Sequence, residues 1–125
     1  MTLDFSRTTF LKLKAKKLGD VVLTKTIFEH VIVEREREHI IYNEQLFRET
    51  LRNPDNIKES NEDCNLYFYS KKTQRYYLKP DTTVDVSKFR YFTVLVDRNR
   101  RFIITMYPCP RIQGGNQVWP TKTQS

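Results

Sequence analysis

Three polar residues alternate with apolar ones near the end of the chain, in 101-RFIITMYPCP-110. Side chains two apart share one face of a strand. Phe102, Ile104 and Met106 then fall on one side, and Arg101, Ile103, Thr105 and Tyr107 on the other. An arginine offers a phosphate a planar pair of donors. Threonine and tyrosine hydroxyls can donate to its remaining oxygens. The same parity recurs upstream. Tyr67 and Tyr69 oppose Leu66 and Phe68; Arg75, Tyr77 and Lys79 oppose Tyr76 and Leu78; Tyr91, Thr93, Leu95 and Asp97 oppose Phe92, Val94 and Val96. If the apolar sets meet helices, the others form one open face of rings and cations. Rings stack on bases and cations hold phosphates, so this face suits single-stranded RNA. The plainer reading is an ordinary polar sheet face, since tyrosine and threonine favour strands.

Cleaving RNA needs a base for the 2′-hydroxyl, an acid for the leaving oxygen and a cation for the phosphorane. Histidine suits the proton transfers because its unperturbed pKa is about 6.5. The chain has two, His30 and His39. His30 flanks the apolar stripe of a predicted helix, where its position would be fixed. His39 stands in the charged run 34-EREREH-39, which reads as solvated. The histidines do not share a helical face, and no His, Cys or Asp cluster has metal-ligand spacing. Neither a metal nor a cofactor is expected.

The 125 residues suffice for one domain with a modest core. Seven tyrosines and eight phenylalanines argue for a folded chain. The three glycines, Gly19, Gly114 and Gly115, leave no glycine-rich phosphate loop. The net charge of +7 favours an anionic partner: nucleic acid, an anionic membrane or an acidic protein. Cys64 and Cys109 read as free thiols in a reducing compartment. The start, MTLDFSRTTF, lacks the apolar run of a signal peptide or membrane span, which places the protein in the cytoplasm.

The elements that must position these groups follow from periodicity. Residues 8–16 and 21–24 read as strands, the first with a lysine-rich face suited to a sheet edge. Thr24 or Thr26 can cap a helix through 26-TIFEHVIVERERE-38, with Thr26 and Glu29 spaced as a capping box. Asn43 can cap a second helix ending before Pro54. Strands follow at about 55–60, 64–70, 74–79, 89–97 and 101–107, with a loop at 80–88. The expected fold is α+β: N-terminal strands and two helices on one face of an antiparallel sheet. Residues 1–119 make a single domain, 1–19 its N-terminal strand extension, and 120–125 a disordered tail.

The strings 21-VVLTKTIFEHVIVEREREH-39, 46-LFRETLRNPDNIKES-60, 66-LYFY-69, 76-YYLK-79, 92-FTVLV-96, 102-FIITMYP-108 and 112-IQGGNQVW-119 resemble phage and cyanobacterial-type members of the barnase–EndoU–colicin–RelE-like ribonuclease superfamily. The resemblance runs over about residues 20–119. It implies a barnase/RelE-like fold and a metal-independent endoribonuclease, acting as a toxin or conflict-system protein. By the same resemblance, His30 is similar to the helix acid/base, and Thr105 and Tyr107 to the pair at the scissile phosphate. Arg75 and Lys79 are the basic candidates from the middle strands, with Arg101 behind them. Tyr67, Tyr69, Tyr77, Lys79 and Arg101 would bind substrate. The chain departs from the family where an Arg-His-Pro-Glu-like segment follows the histidine. Here 35-REREHI-40 stands, without the proline and with His39 as a shifted equivalent. RNA is the expected partner, joined by a small acidic antitoxin or immunity protein. A non-catalytic RNA-binding or protein-interaction module is the alternative.

Overall fold

A computed structural model describes residues 10–34, 37–73, 75–79, 82–83 and 90–120. Two strands open it, β1 (Phe10–Ala15) and β2 (Gly19–Thr24), forming a hairpin. The short helix α1 (Lys25–Glu29) starts at Thr24, whose side chain accepts from the Ile27 N–H at 3.2 Å. The cap is therefore Thr24, not the Thr26 capping box.

The expected long first helix does not form as an α-helix. It widens into a π-helical segment, His30–Glu34, and residues 35 and 36 lie outside the described residues. The Arg37 N–H donates to the Ile32 carbonyl, a bond of five-residue reach that continues the wider coil. A 3-10 turn then spans Glu38–Asn43 and leads into α2 (Glu44–Arg52). β3 (Asn56–Glu59), β4 (Leu66–Lys72), β5 (Tyr77–Lys79), β6 (Thr82–Thr83), β7 (Tyr91–Asp97), β8 (Phe102–Cys109) and β9 (Gln117–Trp119) complete the order.

Seven strands form one sheet in the order β1-β2-β8-β7-β4-β3-β9, while β5 and β6 pair separately. The expected fold class needs correction here. The sheet is mixed, because β2 runs parallel to β8, and it curls into a half-barrel. The helices are short, so the molecule is strand-rich and not a pair of helices laid on an antiparallel meander. The physical reason lies in the N-terminal hairpin. It joins the sheet as β1 and β2 beside β8, and the last strand, β9, closes the far edge on β3.

The concave face holds the core. Leu13, Val21, Leu23, Tyr69, Val94, Val96, Ile103 and Met106 meet Phe47 and Leu51 of α2. The Phe47 and Phe92 rings stand edge to face at 6.4 Å. Parity was right for β7, where Phe92, Val94 and Val96 point inward. It was inverted for β4: register pairs Tyr67 with Val96 and Tyr69 with Val94, so both tyrosines face the core. In β8 a bulge sets Leu95 opposite Thr105 but Val96 opposite Ile103. The extra residue shifts the alternation. Ile103 therefore points inward and Phe102 stands 44% exposed.

The convex face is not left open either. Residues 110–116 cross it beside β3 and β4, where Gly114 sits at φ +106. A Cβ there would lie 2.7 Å from the Lys58 Cβ and 3.1 Å from Phe68 Cδ2. Phe68 gains cover from that crossing, and Ser70 and Thr93 are fully buried. A strand covered on both sides shows no clean polar face, which is why alternation misassigned β4.

Candidate functional site

The gap between β2 and the later half of β8 is where polar groups collect. Register joins these two strands only at Val22 and Phe102. Beyond that point β8 needs another partner for its backbone, and Arg37 supplies one. Its Nη1 donates to the Met106 carbonyl at 3.1 Å and to Thr105 Oγ1 at 3.2 Å. The guanidinium also lies 5.0 Å from the Tyr107 ring centre, a cation–π distance. The π-helical segment makes this reach possible by delivering Arg37 at the junction with the 3-10 turn.

Two residues on, His39 Nδ1 lies 2.7 Å from the Tyr76 hydroxyl. The two rings meet edge on at 5.3 Å. Tyr76 is fully buried and stacks on Phe92 at 6.2 Å, so the core fixes its ring. Burial raises the Tyr76 phenol well above its ordinary range, against the opposing charge of Arg37. Burial lowers the His39 pKa below 6.5, and the positive charge of Arg37 lowers it further. The imidazole is accordingly neutral at pH 7. Tyr107 is raised by burial and by Cys109, with Arg37 acting against both, so it keeps its proton.

Asn43 holds this arrangement together. It does not cap α2 with its side chain. Instead Nδ2 donates to the His39 and Tyr77 carbonyls, each at 2.8 Å, and Oδ1 accepts from the Tyr77 N–H at 2.9 Å. One buried amide thus pins the 3-10 turn to β5. Beside it opens a cleft of about 430 Å³ lined by Glu38, His39, Tyr42, Leu78 and Lys79.

The expected site residues separate into groups. Thr105 and Tyr107 meet at Arg37. Tyr77 and Lys79 lie on β5 and Arg75 just before it, where Arg75 Nη1 donates to the Tyr77 hydroxyl at 3.3 Å. His30 opens the π-helical segment half-buried, while Arg37 bonds Thr105 and His39 bonds Tyr76. Tyr67 and Tyr69 face the core, with the Tyr69 hydroxyl donating to the Lys16 carbonyl. Arg101 sits in the β7–β8 turn at φ +61, its guanidinium donating to the Leu18 carbonyl. The single open face of tyrosines and cations is therefore not assembled. Arg37, Tyr76 and Asn43 were missed. Arg37 and His39 flank Glu38 in a run that reads as solvated, and only the π-helical turn shows which side faces inward. Among the described residues, no three His, Cys, Asp or Glu side chains gather as a metal-ligand group. No helix there is long and apolar enough to cross a membrane.

Comparisons with protein-family models, curated proteins and solved structures found no match. The chemistry of this cluster rests on its own geometry.

Proposed function

We propose that the protein is a metal-independent endoribonuclease that cleaves single-stranded RNA at the Arg37–His39–Tyr107 cluster. The observation that carries this reading is His39 Nδ1 lying 2.7 Å from the buried Tyr76 hydroxyl, with burial first and Arg37 second lowering the imidazole pKa. In the tautomer with Nδ1–H donating to the Tyr76 oxygen, Nε2 is the ring nitrogen that can accept a proton. His39 removes the proton of the 2′-hydroxyl, whose oxygen then bonds to the adjacent phosphorus. Arg37 and the Thr105 hydroxyl stabilise the phosphorane charge. Tyr107, protonated at neutral pH, gives its proton to the departing 5′-oxygen as the P–O5′ bond breaks. The products are a 2′,3′-cyclic phosphate and a 5′-hydroxyl, and the proton held on the His39 imidazolium returns through solvent to the Tyr107 phenolate.

The sequence likeness to the ribonuclease superfamily, carried by Thr105 and Tyr107, supports the same reaction. The net charge of +7 supports an RNA substrate. The reaction belongs in the cytoplasm, where a nuclease needs restraint. A small acidic protein covering the His39 cleft is the partner we propose, in the manner of an antitoxin.

The test is incubation with mixed single-stranded RNA in excess EDTA, with the product ends analysed. Cyclic phosphate ends from the wild type and from His30→Ala, but not from His39→Ala, are expected. RNA that stays intact but bound would replace the reading with a non-catalytic binding module.

A further inference from the structure

A second cleft of about 430 Å³ adjoins the first and shares Tyr42 with it. Its walls are Tyr42, Leu46 and Tyr77, and its cations are Lys71, Lys72 and Arg75. The size falls within the roughly 300–1,000 Å³ of small-ligand pockets. The flat, apolar wall is formed by two half-buried tyrosines and a leucine.

Its polar groups are arranged at the rim. Arg75 is exposed, and its guanidinium reaches the Tyr77 hydroxyl, so it stands at the mouth. Its backbone is locked by Thr73, which accepts from the Arg75 N–H and donates to the Arg75 carbonyl at 2.7 Å. Lys72 is exposed, while Lys71 Nζ donates to the Asn53 carbonyl at 2.8 Å. The one carboxylate on the wall, Glu49, is engaged by Arg52 and Asn53 and is held below its ordinary pKa by those bonds. Its charge also acts on Lys71. Gln45, also on the wall, brings an amide with both donors and an acceptor.

We infer that this cleft is a nucleobase subsite: it takes the base of a nucleotide flanking the scissile phosphate, stacked on Tyr77, with its phosphate held by Arg75 and Lys72. The inference rests on the proposed RNA-directed reading of the His39 cleft. A ring wall rimmed by cations is the combination that single-stranded nucleic acids use, stacking inside and phosphates at the edge. Continuity with the His39 cleft through Tyr42 gives a strand a path from one to the other.

The experiment measures binding and cleavage separately. Fluorescence anisotropy of a labelled RNA hexamer is recorded in EDTA for wild type, Tyr77→Ala, Tyr77→Phe and Arg75→Ala. The same series is repeated with hexamers carrying one abasic nucleotide at each position in turn. The expected result is a five- to hundredfold weaker Kd for Tyr77→Ala, the range for truncating a stacked aromatic. Tyr77→Phe retains wild-type affinity, and one abasic position erases the difference between wild type and Tyr77→Ala. If wild type cleaves the hexamer but Tyr77→Ala and Arg75→Ala bind it as wild type does, the subsite is overturned and the nuclease reading stands. If the variants lose affinity while no protein cleaves, the subsite stands and the nuclease reading falls. Absence of RNA binding by the wild type overturns both.

Discussion

Two arginine–tyrosine pairs sit on opposite parts of the sheet, and they use the same chemistry differently. In the β7–β8 turn, Arg98 lies 5.4 Å from the Tyr67 ring centre and Nη1 donates to the Tyr67 hydroxyl at 2.9 Å. That pair is closed: the ring is buried, and the phenol oxygen is already served. On β8, Arg37 lies 5.0 Å from the Tyr107 ring centre, but its donors go to Thr105 and to the Met106 carbonyl. Among the described residues, none is hydrogen-bonded to the Tyr107 hydroxyl. The difference teaches that an arginine over a tyrosine is not itself a site. What matters is whether the phenol oxygen is left available and whether a titratable group shares the field of the cation. His39 shares it at Arg37.

The largest test of that contrast is His39→Ala. Loss of a positioned proton acceptor should slow cleavage by about 10²- to 10⁴-fold in a single-turnover assay. An unchanged rate would remove the site from this end of the sheet. Arg37→Lys comes next. A lysine cannot serve Thr105 and the Met106 carbonyl through one planar fork while covering the Tyr107 ring. Cleavage should fall at least tenfold even though the charge is kept, and full rescue by lysine would reduce Arg37 to a point charge. Asn43→Ala examines the hinge beneath the site. It leaves buried backbone groups of Tyr77 unpaired, at a cost of about 2 kcal/mol. A lower urea midpoint together with a lower rate is expected; a loss of stability with full activity would uncouple β5 from His39.

The pH response sharpens the contrast further. A base must be neutral to act, so the acidic limb of the pH–rate profile should lie below 6.5, on account of burial first and Arg37 second. Between that lowered value and 6.5 the unfolded chain binds the extra proton. Stability therefore rises with pH through this window and is lost on acidification. His39→Gln should flatten that part of a urea-midpoint profile. The smallest effect belongs to the closed pair. Arg98→Ala, in an exposed turn, should leave the cleavage rate at the wild-type value, and a large drop would show that the two pairs are not different after all.

Much of the element list was legible in the residues. Asn53-Pro54 ends α2, the alternation of 91-YFTVLVD-97 marks β7 correctly, and Thr105 and Tyr107 do stand beside an arginine. Pattern reading failed where contacts come from residues distant in sequence. Leu66 and Phe68 are more apolar than Tyr67 and Tyr69, yet the register turns both tyrosines inward and Gly114 packs against Phe68 on the other face. His30 looked better placed than His39 because a long α-helix was expected. The π-helical segment changed the phase of everything after it.

The sequence by itself determined the strand-forming runs, the basic charge, the chain reversals and the stock of rings, hydroxyls and cations. Those properties depend on neighbours a few residues away or on simple sums. Only the tertiary structure decided which histidine meets a tyrosine, which arginine caps β8 and which face of β4 is the inside. A bulge, a π-turn and a parallel strand each shift phase by a residue or change the neighbour across the sheet. A period-two pattern has no memory of such shifts.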